Sequence, residues 1–142
     1  STQPNTLFPY TTLFRSRARV RGTVMPLLED ELGPGVAETL ARTADQLRVD
    51  MDHLDDLAEA ALDGLADPTS VDLLSALPVA VRRRVLRLLA LRAGAPAGEL
   101  FHQHVVAVDA LLTDWHGQRW VDLPGHLRAA RRDGRLVVES SA

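Results

Sequence analysis

Residues 36–65 read VAETLARTADQLRVDMDHLDDLAEAALDGL, the longest periodic stretch in the chain. Apolar residues recur along it at steps of three or four, namely at Val36, Leu40, Ala44, Leu47, Met51, Leu54, Ala58, Ala61 and Leu65. This spacing places them on one face of an α-helix, with the intervening charged residues in water. We predict a long amphipathic helix over residues 36–66 that docks against the protein's own helices. The alternative is a coiled-coil partner, which would make the protein a homodimer, and the three Ala in the seam disfavour it.

The segments on either side of this helix contain helix breakers. Residues 17–32, RARVRGTVMPLLEDEL, predict a basic approach to a shorter helix, with a kink or break near residues 24–25 because Pro26 suits a first helical turn. The GPG at residues 33–35 separates this helix from the long one. The DPTS at residues 67–70 predicts a turn, and the apolar residues 71–77 are expected to be partly extended.

Two further helices and a change of period follow. Pro78 suits the first position of a helix that runs to about Arg92, with Val81, Val85, Leu88 and Leu89 on its apolar face and Gly94 beyond its end. A second helix is predicted over residues 96–115, with Gly117 after it. Its core-facing residues are Leu100, Val105 or Val106, Leu111 and Leu112.

The period becomes extended after Gly117. RWVDLPG (residues 119–125) predicts a strand, and HLRAARRDGRLVVES (residues 126–140) a β-hairpin around a type I′ turn at Asp133 and Gly134. In that register Arg128 lies opposite Glu139, and one face carries Leu127, Ala129, Leu136 and Val138. The predicted fold class is mainly α with a small C-terminal β element (α+β).

Composition excludes several classes of protein. The 142 residues carry a net charge of −3, so attraction to nucleic acid must come from a local patch. The absence of Cys excludes a disulfide scaffold, a thiolate metal site and a cysteine nucleophile. No apolar run approaches the ~20 residues of a membrane span, so we expect no membrane partner.

No recognisable catalytic motif is present. The sequence lacks a Walker phosphate loop, a G-x-G-x-x-G and a nucleophile elbow. His102 and His104 are two apart and point to different faces of a helix, so no metal site is predicted. His116 is expected to interact with a helix end. The carboxylates Asp50, Asp52, Asp55 and Asp56 are expected to be solvated. We predict no catalytic, cofactor-binding or metal residues in this chain.

Two arginine groups are the candidate phosphate contacts. In an extended chain, the side chains of the R-x-R-x-R run (Arg17, Arg19 and Arg21) all point to one side. In a helix, only Arg17 and Arg21 lie on the same face. On the helix after Pro78, Arg83 and Arg87 lie opposite the apolar face, with Arg84 nearer its border. A solvated polar face is the alternative for both groups. All 16 basic residues are Arg, and Lys, Ile, Asn and Tyr, whose codons are AT-rich, are absent after residue 16, which indicates a GC-rich genome.

Residues 17–58 resemble the middle of bacterial tRNA(Ile)-lysidine synthases. The resemblance rests on the run of Arg17, Arg19, Arg21, Val24, Pro26, Leu28 and Glu29, and on residues 38–44. Three later stretches resemble the family's substrate-binding region: LPVAVRRRVLRLLALRAGAP, HVVAVDALLTDWHGQ and VDLPGHLRAARRDGRLVV (residues 77–96, 104–118 and 121–138). The resemblance implies three parts: residues 17–35 leaving a catalytic domain, the helix over 36–66, and a small helical substrate-binding domain with a hairpin over 67–142.

The resemblance also implies a function. Enzymes of this family use ATP to adenylate the wobble cytidine of the AUA-decoding tRNA(Ile), and lysine then displaces AMP. Their ATP site is an SGGxDS loop, which this sequence lacks. The implied partners are the tRNA(Ile) precursor and lysine, and the implied location is the cytoplasm. We expect this chain to keep tRNA-binding surface, through Arg17, Arg19, Arg21, Arg83, Arg84 and Arg87, and to be inactive alone.

The first sixteen residues differ in amino-acid composition from the rest of the chain. They carry the only Asn and the only Tyr, and TLFPYTTLFRS (residues 6–16) is identified as the in-frame translation of a short-read sequencing adapter. We therefore expect residues 1–16 to be non-native, to replace a lost catalytic domain and to be poorly packed. The alternative for the chain as a whole is a free-standing helical interaction module that pairs through the face of residues 36–65.

Overall fold

The structure is a computed structural model that describes residues 9–142. It divides into two compact units, Ser1–Val49 and Asp50–Ala142, and the boundary falls within one long helix. The predicted division into residues 17–35, 36–66 and 67–142 stays a prediction. Mainly helical structure with one small antiparallel sheet near the C-terminus confirms the predicted α+β class.

The first unit contains helix α1 (Pro9–Arg19), a π-helical turn (Val20–Val24) and α2 (Met25–Leu32), and it ends at Val49 within the long helix that follows. The helix is not broken near residues 24–25 as expected. Its hydrogen-bond pattern changes there instead, because the Met25 N–H donates to the Val20 carbonyl five residues back. Pro26, which has no N–H, then occupies the first turn of α2. Residues 1–8 lie outside the described residues. Phe14, in the segment identified as translated adapter, is 74% exposed.

Helix α3 (Val36–Gly64) confirms the predicted long helix, but only the C-terminal part of its apolar face is covered. Ala58 and Leu62 are buried, and Ala61 and Leu65 pack against the core. Leu40, Leu47 and Met51, on the same predicted face, are all more than half exposed. The predicted docking against the protein's own helices is therefore seen only for the C-terminal part of this face, since periodicity shows which residues share a face and not how much of that face is covered.

Residues 71–75 are helical and Ala76 and Leu77 form a turn after them, which corrects the expectation of partly extended structure over 71–77. Helix α4 (Val71–Ser75) begins after Ser70, whose hydroxyl oxygen accepts a hydrogen bond from the Leu73 N–H at 3.3 Å. Within the preceding turn, Asp67 accepts hydrogen bonds from the N–H and hydroxyl of Thr69. The N-cap starts a helix too short to show a period in the sequence.

Helix α5 (Val79–Arg92) follows Pro78 as predicted, and Gly94 takes a left-handed conformation just beyond its end. Helix α6 (His102–Thr113) begins six residues later than expected, because residues 96–100 form a turn in which Glu99 and Leu100 donate to the Pro96 carbonyl. The Phe101 N–H donates to the His104 ring Nδ1 at the start of α6. His116 lies just beyond its end, with its ring nitrogen 3.0 Å from the Asp114 carbonyl.

The sheet has the order β1 (Val121–Leu123), β2 (Leu127–Arg132) and β3 (Arg135–Ser140), all antiparallel. The pairing of Arg128 with Glu139 confirms the predicted register. Asp133 and Gly134 both have positive φ, 49° and 72°, as a type I′ turn requires. Ala129 and Leu136 are buried on the predicted core face.

The core of the second unit lies between its helices and this sheet. Leu74 of α4, Val85 of α5 and Leu111 of α6 are fully buried in it. The sheet also contacts the residues around the start of α4. The Val71 N–H donates to the Gly134 carbonyl at 2.9 Å, and the Leu136 N–H donates to the Thr69 carbonyl at 2.7 Å.

Candidate nucleic-acid interface

A groove in the second unit brings three of the predicted arginines together. Its volume is about 570 Å³, and its walls come from α3, from residues 79–87 of α5 and from the start of α6. The lining residues are Met51, Asp55, Val79, Ala80, Arg83, Arg84, Arg87, His102 and Val105. Successive turns of α5 supply the arginines, as expected for residues three and four apart on one helix. We call this the arginine groove.

A buried ion pair holds one of the groove arginines, Arg83. The carboxylate of Asp109 in α6 is only 4% exposed and accepts hydrogen bonds from Arg82 Nε at 2.6 Å and from Arg83 Nε at 2.9 Å. Arg82 also donates to the Leu77 carbonyl at 2.9 Å, so its guanidinium ties α6 to the residues before α5. Arg83 is thereby held between a buried partner and the groove.

The two guanidinium groups control the protonation of Asp109. Burial by itself raises the pKa of this carboxyl, but the hydrogen bonds and charges of Arg82 and Arg83 outweigh burial and lower the pKa below its ordinary value of 3.8. Asp109 is therefore ionised at neutral pH, and its charge is compensated by two arginines rather than one.

Arg84 and Arg87 are anchored as well. Arg84 Nε donates to the Asp55 carboxylate at 2.8 Å and its Nη1 to the Ala80 carbonyl at 3.1 Å. Arg87 donates through Nη1 and Nη2 to the carbonyls of Leu100 and Ala97, in the turn before α6. None of the three groove arginines is thus a freely solvated side chain, although the sequence pattern alone placed Arg83 and Arg87 on an open polar face and Arg84 near its border.

The other predicted group, Arg17, Arg19 and Arg21, lies in the first unit. The backbone there is helical, so the extended fan does not form. Arg17 and Arg21 line a shallow depression of about 360 Å³ with Leu13, Ser16 and Val20, and Arg19 is not among its lining residues. This is the alignment of first and third arginines that a helix predicts.

Sequence reasoning missed three arginine–tryptophan contacts near the sheet. The Arg131 guanidinium lies 4.9 Å from the Trp115 ring centre, and those of Arg128 and Arg119 lie 5.0 and 5.7 Å from that of Trp120. These distances are in the cation–π range. The signal available in the sequence was the pair of Trp residues in a chain with 4% aromatic residues, directly before an Arg-rich hairpin.

Comparison with known proteins then places this geometry in a family. Residues 70–137, which hold α4, α5, α6 and most of the sheet, match the TilS substrate binding domain. The chain is 49% identical over 128 residues to a tRNA(Ile)-lysidine synthase of Thermobifida fusca, covering 88% of this chain and 40% of that protein. Residues 70–137 thus carry a TilS substrate binding domain, and the chain is similar to part of the tRNA(Ile)-lysidine synthases. This confirms the predicted resemblance.

Two other relatives give the same result. A tRNA(Ile)-lysidine synthase of Streptomyces coelicolor is 50% identical over 126 residues, with 87% of this chain and 36% of the relative covered. One of Mycobacterium bovis is 47% identical over 134 residues, with 87% and 41% covered. The chain thus spans about two fifths of the length of these tRNA(Ile)-lysidine synthases. The groove arginines lie inside the matched substrate-binding domain, and Arg17, Arg19 and Arg21 lie before it.

Within residues 9–142, no three His, Asp or Glu side chains are grouped so as to hold a metal ion. In the same range, no helix combines the length and apolar character needed to cross a membrane.

Proposed function

We propose that this chain provides tRNA-binding surface for a tRNA(Ile)-lysidine synthase, and that the arginine groove is the main part of that surface. The observation that carries the proposal is the convergence of Arg83, Arg84 and Arg87 on one groove within the matched substrate-binding domain. Guanidinium groups bind phosphate oxygens well because their N–H donors form a planar fork. In a chain of net charge −3, such a local cluster supplies the attraction to a polyanion.

The chemistry proposed for the whole enzyme follows the family. A complete tRNA(Ile)-lysidine synthase joins lysine to the wobble cytidine of tRNA(Ile) at the expense of ATP, in the cytoplasm. The residues of this chain do not fit an ATP site, because the sequence has no SGGxDS loop and no other Gly-rich phosphate loop. We assign to this chain the task of holding and orienting the tRNA, and no step of the ligation.

Arg17, Arg19 and Arg21 are proposed as a secondary contact. Arg17 and Arg21 lie one helical turn apart on an exposed surface, a spacing that suits two neighbouring phosphates of one strand. Arg19, on another side of the helix, contributes less in this arrangement.

The test is binding of a 3′-labelled tRNA(Ile) transcript to the purified 142-residue chain, followed by fluorescence anisotropy over a series of salt concentrations. We expect the logarithm of the binding constant to fall linearly with the logarithm of salt concentration, and Arg83→Ala to reduce that slope by about 1. Arg92→Ala is the matched control, since Arg92 lies on the same helix in an exposed pair with Glu59, outside the groove.

Two results would contradict the proposal. One is an affinity that does not depend on salt, and the other is an equal effect of the Arg83 and Arg92 substitutions. The same preparation is expected to release no AMP when lysine, ATP and tRNA are added together. Turnover would show that the chain holds an active site of its own.

A second candidate function is a helical interaction module that pairs with another copy of the chain. The observation in its favour is the exposure of Leu40, Leu47 and Met51 along one face of α3. Sedimentation equilibrium of the wild type and of Leu47→Glu decides it. A dimer that the substitution dissociates supports the module, and a monomer at all concentrations rejects it.

A further inference from the structure

The charge of the arginine groove points to a particular class of anion. Three arginines contribute permanent positive charges, and the single lining carboxylate, Asp55, is already held by Arg84. These arginines and Asp55 together give a net charge of about +2, so a ligand with two negative charges matches the groove better than one with a single charge.

The arginines are also held in place before any ligand arrives. Arg83 is fixed through Nε by Asp109, and Arg84 through Nε and Nη1 by Asp55 and the Ala80 carbonyl. Each guanidinium has five N–H donors, so donors remain on the Nη side of Arg83 and on Nη2 of Arg84. Because the side chains are already ordered, binding an anion costs less conformational entropy than it would on free surface arginines.

Two helices begin at the groove and add to its positive potential. Val79 and Ala80 are the first two residues of α5, and His102 is the first residue of α6. The N-terminus of an α-helix carries a partial positive charge and favours bound anions. The helix ends and the arginine side chains are separate sources of potential that act on the same space.

Apolar side chains occupy the rest of the wall. Met51, Val79, Ala80 and Val105 lie beside the charged groups, and Val79 is half exposed. The volume of about 570 Å³ lies within the range of pockets that hold small organic ligands. A bare phosphate would leave this apolar wall without a partner, whereas a nucleoside attached to the phosphate would cover it.

We propose that the arginine groove binds a terminal phosphate monoester of an RNA strand, with the attached nucleoside against Val79 and Val105. A phosphate monoester carries about −1.5 to −2 charges at neutral pH, against −1 for an internal phosphodiester. This inference rests on the proposed function, because it specifies which part of the RNA occupies the groove.

The experiment compares two tRNA(Ile) transcripts that differ only at the 5′ end, one with a 5′-monophosphate and one with a 5′-hydroxyl, both labelled at the 3′ end. The 142-residue chain is expected to bind the phosphorylated transcript about tenfold more tightly, the effect of one additional charge-assisted contact. In Arg83→Ala the two affinities become equal, whereas Arg92→Ala keeps the tenfold difference.

A second variant guards against a folding defect in the first. Val79→Asp places a negative charge in the groove without touching the Asp109 ion pair, and an acidic residue in the first turn of α5 suits the helix. It is also expected to abolish the difference between the transcripts. Circular dichroism verifies that both variants are folded.

The outcomes separate this inference from the proposed function. If the wild type binds both transcripts equally and salt-dependently, the terminal-phosphate site is wrong and the proposed function stands. If the tenfold difference persists in both groove variants, the terminal phosphate lies elsewhere and the inference is also wrong. If neither transcript binds, the proposed function fails and the inference fails with it.

Discussion

Replacement of Asp109 by Asn is expected to destabilise the second unit strongly. The carboxylate is 4% exposed and accepts from both Arg82 and Arg83. Asn keeps the shape but removes the charge, and its amide N–H₂ faces a guanidinium that can only donate. Breaking a buried ion pair by neutralising one partner costs about 3–5 kcal/mol, a large part of the ~5–15 kcal/mol that stabilises a domain.

The assay is urea unfolding followed by the fluorescence of Trp115 and Trp120, which both lie in the second unit. With a slope of about 1.5 kcal/mol per M, a loss of about 3 kcal/mol lowers the midpoint by about 2 M. Asp55→Asn is the matched control, because it removes the same charge from another arginine of α5 but at a site 62% exposed. We expect it to cost less than about 1 kcal/mol.

The comparison between the two Asp→Asn variants tests the reasoning directly. If they shift the midpoint by the same amount, burial does not determine the strength of these pairs. If Asp109→Asn costs less than about 1 kcal/mol, the ion pair is not the link between α5 and α6 that its geometry indicates.

Two further predictions concern pH and backbone conformation. Because folding lowers the pKa of Asp109, its contribution to stability is present above the ordinary pKa of 3.8 and is lost as pH falls through the lower pKa of the folded protein. The melting temperature of the wild type should therefore fall more steeply below about pH 4 than that of Asp109→Asn, and parallel curves would contradict this. Gly125→Ala should destabilise the protein more than Gly134→Ala, although both residues have positive φ. Of the two, only a Cβ at position 125 would meet other atoms, Pro96 Cδ at 2.8 Å and the Gly94 carbonyl oxygen at 3.2 Å. Equal urea midpoints for the two variants would show that this contact is relieved without cost.

The sequence predicted the elements whose signal is local. The 3.6-residue period of α3 extends over about eight turns, and the positive φ values at Asp133 and Gly134 follow from the turn preference of that dipeptide. Helix α4 has five residues, too few to show a period, and its start depends on the Ser70 cap. Residues 96–100 resembled the first turn of α6, yet Gly98 and the turn at Pro96 delay that helix.

The candidate site was less predictable, because its geometry depends on partners distant in the chain. The pattern on α5 placed Arg83 and Arg87 on the polar face, but the partner of Arg83, Asp109, lies 26 residues away. The sequence carried one signal of this ion pair. Asp109 is the single carboxylate within the apolar run HVVAVDALL, and a buried Asp requires a cation beside it. Which acceptor each N–H of Arg83, Arg84 and Arg87 contacts follows only from the folded structure.

The closure of the sheet onto residues 69–71 has a consequence for the order in which the second unit folds. The contact between Arg135 and Thr69 joins positions 66 residues apart, and Ala129 and Leu136 complete the core only from β2 and β3. During synthesis the helices α4–α6 emerge first, with their apolar faces uncovered until the hairpin follows. The core of a newly made chain therefore stays exposed until the hairpin of β2 and β3 has formed, and helix formation alone does not cover it. A ribosome stalled before β3 would leave an aggregation-prone helical intermediate.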